Sequence, residues 1–174
     1  MTPGSTTSPT FVTPPSAQRA VFSAYQKFIV AVLAFLQFTI ILDFMILSPL
    51  GALLMPALEI SPQQFGFVVS IYAFSAGISG FLAAGFADKF DRKKLLLFFY
   101  SGFIAGSFLC GIAPSYSFLL FARLVTGLFG GVIGSIVLAI TTDMFPFEVR
   151  GRVMGIIQTA FAASQVMGLP LGLF

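Results

Sequence analysis

Hydrophobic residues are gathered into five long runs, over residues 28–54, 64–87, 95–113, 116–141 and 152–174, with short polar connections between them. An α-helix needs about 20 apolar residues to cross the hydrocarbon core of a bilayer. The pattern therefore predicts five transmembrane helices. Residues 1–20 break it, being rich in Pro, Ser and Thr and without periodicity, and they read as a disordered tail. The resulting division is a tail over residues 1–27 and a transmembrane domain over residues 28–174. The tail does not resemble a signal peptide: its extreme N-terminus has no positive charge, and the apolar run after Lys27 is too long for an h-region. The last run reaches Phe174 with no polar flank after it, which suggests an interrupted membrane domain.

Composition agrees with an all-α polytopic membrane protein. Hydrophobic residues make up 57% of the chain and charged residues 9%, with a mean hydropathy of +1.01. Soluble domains carry about 25% charged residues. The net charge of +3 is no sign of nucleic-acid binding, because the basic residues sit in short loops beside apolar spans. Without a His there is no imidazole relay or His-based metal site, so neither a metal nor a cofactor is expected. Cys110, the single cysteine, has no partner for an internal disulfide and reads as a small apolar packing residue.

Charge adds an orientation. Arg19 and Lys27 precede the first run; Lys89, Arg92, Lys93 and Lys94 lie between the second and third; Arg150 and Arg152 lie between the fourth and fifth. The connections around Glu59 and over residues 114–117 contain no Lys or Arg. Basic loops stay on the cytoplasmic side, so the N-terminus is expected there, in a cytoplasmic or inner membrane. Arg123 alone breaks the rule, because it lies inside an apolar run.

Arg123 has a counterpart in Asp43, near the middle of the first run. At 1.5 Å per residue Asp43 lies roughly 16 Å from the far end of its span, and Arg123 roughly 14 Å from the same side. An unpaired charge at mid-membrane costs from about 3 kcal/mol upward, so such residues face an interior, a partner or water. One reading is a structural ion pair that fixes helix packing. The other is that Asp43 takes up and releases a proton, with Arg123 as its partner or as the contact of an anionic group. Gln37 and Thr39 are neutral polar residues on the same span, and Pro49 can bend its outer half. A membrane enzyme would need clustered nucleophiles or metal ligands, and Asp88, Asp91 and Asp143 sit among basic residues without such spacing.

Small residues recur at every fourth position: Ala76, Gly80 and Ala84; Gly102, Gly106 and Cys110; Gly127, Gly131 and Ser135; Ala160, Ser164, Gly168 and Gly172. Each set lies on one helix face, where backbones approach closely in lipid. Tight packing is one reading, and a sliding or cavity-lining surface is the other. Arg123 continues the Gly127–Gly131 face one turn earlier.

The segment Ala84-Gly85-Phe86-Ala87-Asp88-Lys89-Phe90-Asp91-Arg92-Lys93-Lys94 resembles the signature loop of the major facilitator superfamily, Gly-x-x-x-Asp-(Arg/Lys)-x-Gly-Arg-(Arg/Lys)-(Arg/Lys). Asp88, Lys89, Arg92, Lys93 and Lys94 match it. Ala84 holds the first Gly position, and Asp91 replaces the second Gly and adds a carboxylate that could pair with Arg92. The stretch from Leu119 to Gly127 resembles the family's fourth-helix motif, an Arg followed four residues later by Gly. Asp143, Pro146, Glu148, Arg150, Gly151 and Arg152 resemble its next cytoplasmic connection. Leu42-Asp43 and Leu53-Leu54-Met55-Pro56 resemble the first helix of drug:proton antiporters, and Gly168-Leu169-Pro170-Leu171-Gly172 resembles the fifth-helix antiporter motif with an inserted Leu169.

This resemblance implies the first five helices of a six-helix half, whose partner half and sixth helix would complete an alternating-access transporter. It implies that the first and fourth helices line a central cavity, that Arg123 is associated with proton coupling, and that the Asp88–Lys94 loop latches the two halves at the cytoplasmic side. Its partners would be the lipid bilayer, protons, a small-molecule substrate and the missing C-terminal half. Efflux by proton antiport is the leading expectation. Proton-coupled uptake and a non-transporting five-helix fragment remain alternatives.

Overall fold

The computed structural model describes residues 22–86 and 90–171. Five helices follow one another: α1 (Ala24–Ala57), α2 (Pro62–Phe86), α3 (Arg92–Gly111), α4 (Tyr116–Met144) and α5 (Phe147–Leu171). The protein has the expected all-α membrane fold. Among the described residues, α1, Pro62–Ala83 of α2, α3 and α4 are long and apolar enough to cross a membrane. α5, where the fifth span is expected, is helical but not among those four, and it carries Glu148, Arg150 and Arg152 in its first two turns.

All the helices but α4 begin earlier than the apolar runs, and at α1, α2 and α3 capping residues start them before the hydrophobic stretch does. Residues 24–27, assigned to the tail from sequence, form the first turn of α1. Ser23 and Gln26 make a capping box there: the Gln26 N–H donates to Ser23 Oγ at 3.2 Å, and the Ser23 N–H donates to Gln26 Oε1 at 3.0 Å. Ser61 and Gln64 repeat it at α2, at 3.2 and 2.8 Å, with Pro62 at the first helical position. Asp91 accepts from the Lys94 N–H at 3.0 Å and starts α3 at Arg92. The three basic residues expected in a loop, Arg92, Lys93 and Lys94, are thus the first turn of a helix. Arg150 and Arg152 are likewise helical.

At its other end α1 continues through Pro49 and Pro56 to Ala57, three residues past the expected stop. It closes with the Ile60 N–H donating to Met55 O at 3.0 Å, which places Glu59 in the left-handed region at φ 53°.

The main packing pairs are α2 with α4, α3 with α4, and α1 with α5. α4 is the central element, burying residues along its whole length from Leu119 to Thr141. One apolar cluster joins Leu33, Leu36 and Ile40 of α1 to Phe103, Ile133, Val137, Val153 and Ile157. A second joins Leu47, Val68 and Leu119 nearer the opposite end. The outward faces are equally apolar, with Phe74, Phe81 and Phe108 all exposed, as suits a surface solvated by lipid.

Six of the repeated glycines, Gly80, Gly102, Gly106, Gly127, Gly131 and Gly168, are packing contacts. A methyl group on Gly127 would overlap Ser75 and the Tyr72 carbonyl, and one on Gly131 would overlap Ala76. Gly102 and Gly106 lie against Phe129 and Thr126 of α4, and Gly168 lies against Met45 of α1. Close approach lets Ser79 Oγ, which donates to Ala76 O at 3.1 Å, also reach Gly127 O across the interface at 3.4 Å.

Candidate functional site

Between the two apolar clusters, one ion pair interrupts the core. Arg123 Nη1 donates to Asp43 Oδ2 at 2.8 Å, joining α4 to α1 across 80 residues of sequence. The Arg123 side chain is 5% exposed and the Asp43 side chain 18%. Asp43 sits between Ile40 and Leu47 on α1, and Arg123 lies one turn beyond Leu119, so each charge has apolar packing above and below it. In such surroundings a charge depends on its partner, because desolvation costs several kcal/mol per ion before the pair's attraction offsets it.

The pair borders a cleft of about 150 Å³ between α1, α3 and α4, lined also by Leu50, Leu54, Ser107 and Cys110. Ser107 and Cys110 are residues that sequence reasoning did not connect to the site. Both lie on the α3 face that carries Gly111, at helical spacing, and that spacing was the available signal. Cys110 is half-buried rather than fully packed away, with its Sγ 3.7 Å from Thr126 Oγ1. Thr126 Oγ1 already donates to Ala122 O at 2.7 Å, so the thiol is the donor in that contact.

Thr39 and Gln37 do not join the pair. Thr39 Oγ1 donates to Leu36 O at 2.9 Å and lies 3.2 Å from Tyr100 Oη on α3, which makes Tyr100 the donor between them. Gln37 is half-buried elsewhere on α1.

The described candidates from the two basic connections cluster at the end where α1, α3 and α5 begin. Asp91 caps α3, while Arg92 Nε donates to Asp143 Oδ2 at 3.1 Å and so ties the start of α3 to the end of α4. Arg150 donates to Phe145 O at 2.9 Å and to Thr142 O at 2.7 Å, placing its charge on the carbonyl end of α4. Arg152 lies over the Phe22 ring, 5.5 Å from its centroid. Lys93, Lys94 and Glu148 are exposed. Gly127, Gly131 and Gly168 are the packing positions described above, and Pro170 is exposed in the last turn of α5. Asp88, Lys89 and Gly172 lie outside the described residues.

The family model described as Major Facilitator Superfamily matches residues 33–174. The chain is 36% identical over 138 residues to the uncharacterized MFS-type transporter YceJ of Bacillus subtilis, covering 79% of this chain and 35% of that protein. It is 33% identical over 110 residues to Multidrug resistance protein 3 of Bacillus subtilis, covering 63% of this chain and 22% of that one. The chain thus spans about a third or less of the curated relatives it matches. Its fold superposes with a TM-score of 0.81 and 19% identity on a bacterial homolog of the human lysosomal transporter Spinster in an inward-facing conformation, covering 87% of this chain and 32% of that structure. The chain belongs to the major facilitator superfamily.

Proposed function

We propose that this chain is the N-terminal part of a proton-coupled secondary transporter that exports a small, largely apolar molecule by alternating access. The observation that carries this reading is the buried Asp43–Arg123 pair, where a carboxylate and a permanent cation meet inside the apolar bundle. When Asp43 takes up a proton its charge is lost and Arg123 is freed. When it releases the proton the pair re-forms. A pair with two states, joining two otherwise lightly connected helices, is suited to tie proton uptake to helix movement. The similarity to a protein named for multidrug resistance supports export. Among the described residues the spans are rich in Phe, which suits an apolar substrate.

The distribution of Lys and Arg supports a cytoplasmic N-terminus and, with it, a location in the cytoplasmic membrane. The segment from Asp88 to Lys94 then latches this half to a second half on the cytoplasmic side. Arg92–Asp143 holds the base of that latch by linking α3 to α4.

The test uses inverted membrane vesicles that contain the complete gene product. Acidifying the vesicle interior should drive accumulation of fluorescent apolar organic compounds, and a protonophore should abolish it. Accumulation indifferent to the protonophore would contradict proton coupling, and substrate movement in the opposite sense would contradict export.

A further inference from the structure

The cleft beside the ion pair is mixed in character. Its lining includes four leucine side chains of α1 and α4 together with Arg123, Asp43, Ser107 and Cys110. Two buried side-chain polar atoms among the described residues have no hydrogen-bond partner, Arg123 Nε and Ser107 Oγ, and both residues line this cleft. An unsatisfied guanidinium nitrogen in apolar surroundings is expensive, and leucines offer it nothing. At roughly 30 Å³ per molecule the volume accommodates about five waters, and polar partners are present to hold them. The cleft also has a direction. It runs from Arg123 past Ser107 to Leu54 and Gly111, close to the ends of α1 and α3 and to the start of α4. That is the membrane face of Glu59 and Ser115, opposite the Arg92–Asp143 contact.

We propose that this cleft is a water-filled passage through which protons reach Asp43 from the Glu59 face of the membrane. Water bridges Arg123 Nε and Ser107 Oγ and extends towards the helix ends. A hydronium in the cleft transfers its proton to a carboxylate oxygen of Asp43, leaving water behind and a neutral carboxyl in place of the ion pair. The reverse transfer returns the proton to the cleft. Among the described residues, the ionisable groups around Asp43 are Arg123 on α4, Cys110 on α3 and Tyr72 on α2, and by residue type none is a carboxylic acid that competes for the proton near neutral pH. This passage deepens the proton-coupling role proposed for Asp43 and rests on it.

Hydration can be tested without transport. In the Cys110→Ser background these 174 residues hold no other thiol, so Ser107→Cys and Phe108→Cys each supply one reporter at nearly the same depth. Ser107 lines the cleft, whereas Phe108 is 68% exposed on the outer, lipid-facing surface. The probe is the anionic, membrane-impermeant sulfonatoethyl thiosulfonate, applied to liposomes containing the chain, with the face assigned by a Glu59→Cys marker. Ser107→Cys should react at least tenfold faster than Phe108→Cys, and from the Glu59 face. Equal rates, or reaction from the opposite face, would overturn the passage. In the complete transporter, modification at Ser107→Cys should cut proton-driven transport at least tenfold; labelling without that loss would show water that does not serve Asp43. If labelling follows the expected pattern while Asp43→Asn leaves proton-driven transport intact, the coupling role fails and the hydrated cleft stands.

Discussion

Arg123 reaches Asp43 at 2.8 Å with only 5% of its side chain exposed, and its Nε has no hydrogen-bond partner among the described residues. The two charges do not carry equal risk when separated. A guanidinium stays protonated under all ordinary conditions, whereas a carboxylate can neutralise itself by taking up a proton. Asp43→Leu should therefore lower stability by about 3–5 kcal/mol, the usual cost of stranding a buried charge. Arg123→Met should cost less, and the double variant should recover most of the Asp43→Leu loss. Denaturant unfolding of the purified chain in detergent checks this. Equal and additive losses would show that the two side chains do not act as a pair.

Gly131 and Gly134 lie three residues apart on α4 and should respond oppositely. A methyl group on Gly131 would collide with the Ala76 backbone, while none of the described residues lies within 4 Å of the same position on Gly134. Overpacking against backbone costs about 1–3 kcal/mol, so Gly131→Ala should destabilise by that amount. Gly134→Ala should be neutral or slightly stabilising, because it removes a flexible residue from a helix. Thermal unfolding of the two variants side by side reads the difference.

Glu59 adopts φ 53° at the end of α1, a conformation that costs an L-residue roughly 1–2 kcal/mol. Glu59→Gly relieves that strain and should stabilise the chain by about 1 kcal/mol. A fall in the unfolding midpoint would mean that the carboxylate contributes more than the backbone strain costs.

Asp143 pairs with Arg92 at the surface, 54% exposed. Exposed pairs contribute about 0–1 kcal/mol and are screened by salt. Asp143→Asn should therefore change stability by under about 1 kcal/mol, with the difference shrinking as salt is raised. A larger, salt-independent loss would show that Asp143 does more than form an exposed, screened pair.

The apolar runs revealed the five helices because lipid demands long apolar segments, and α1 to α4 match that demand directly. Helix starts were less visible, since counting apolar residues ignores the capping chemistry at the interface. Ser23-Ala24-Tyr25-Gln26 and Ser61-Pro62-Gln63-Gln64 both spell a capping box and were legible on that basis. The meeting of Asp43 and Arg123 followed from matched depth alone. The role of Arg150 was not readable, because its acceptors are backbone carbonyls at the end of another helix, which have no sequence signature. Ser107 stayed hidden for a related reason. A serine on a small-residue helix resembles any other packing residue until the neighbouring helices place it beside a cation.

The central claim is that Asp43 carries the transported proton, and one measurement addresses it most directly. In vesicles containing the complete gene product, uphill transport driven by a pH gradient is compared with downhill substrate exchange for Asp43→Asn, which keeps a hydrogen-bond acceptor for Arg123. The account predicts that gradient-driven accumulation is abolished while exchange persists. Gradient-driven accumulation at the unmodified level would contradict it.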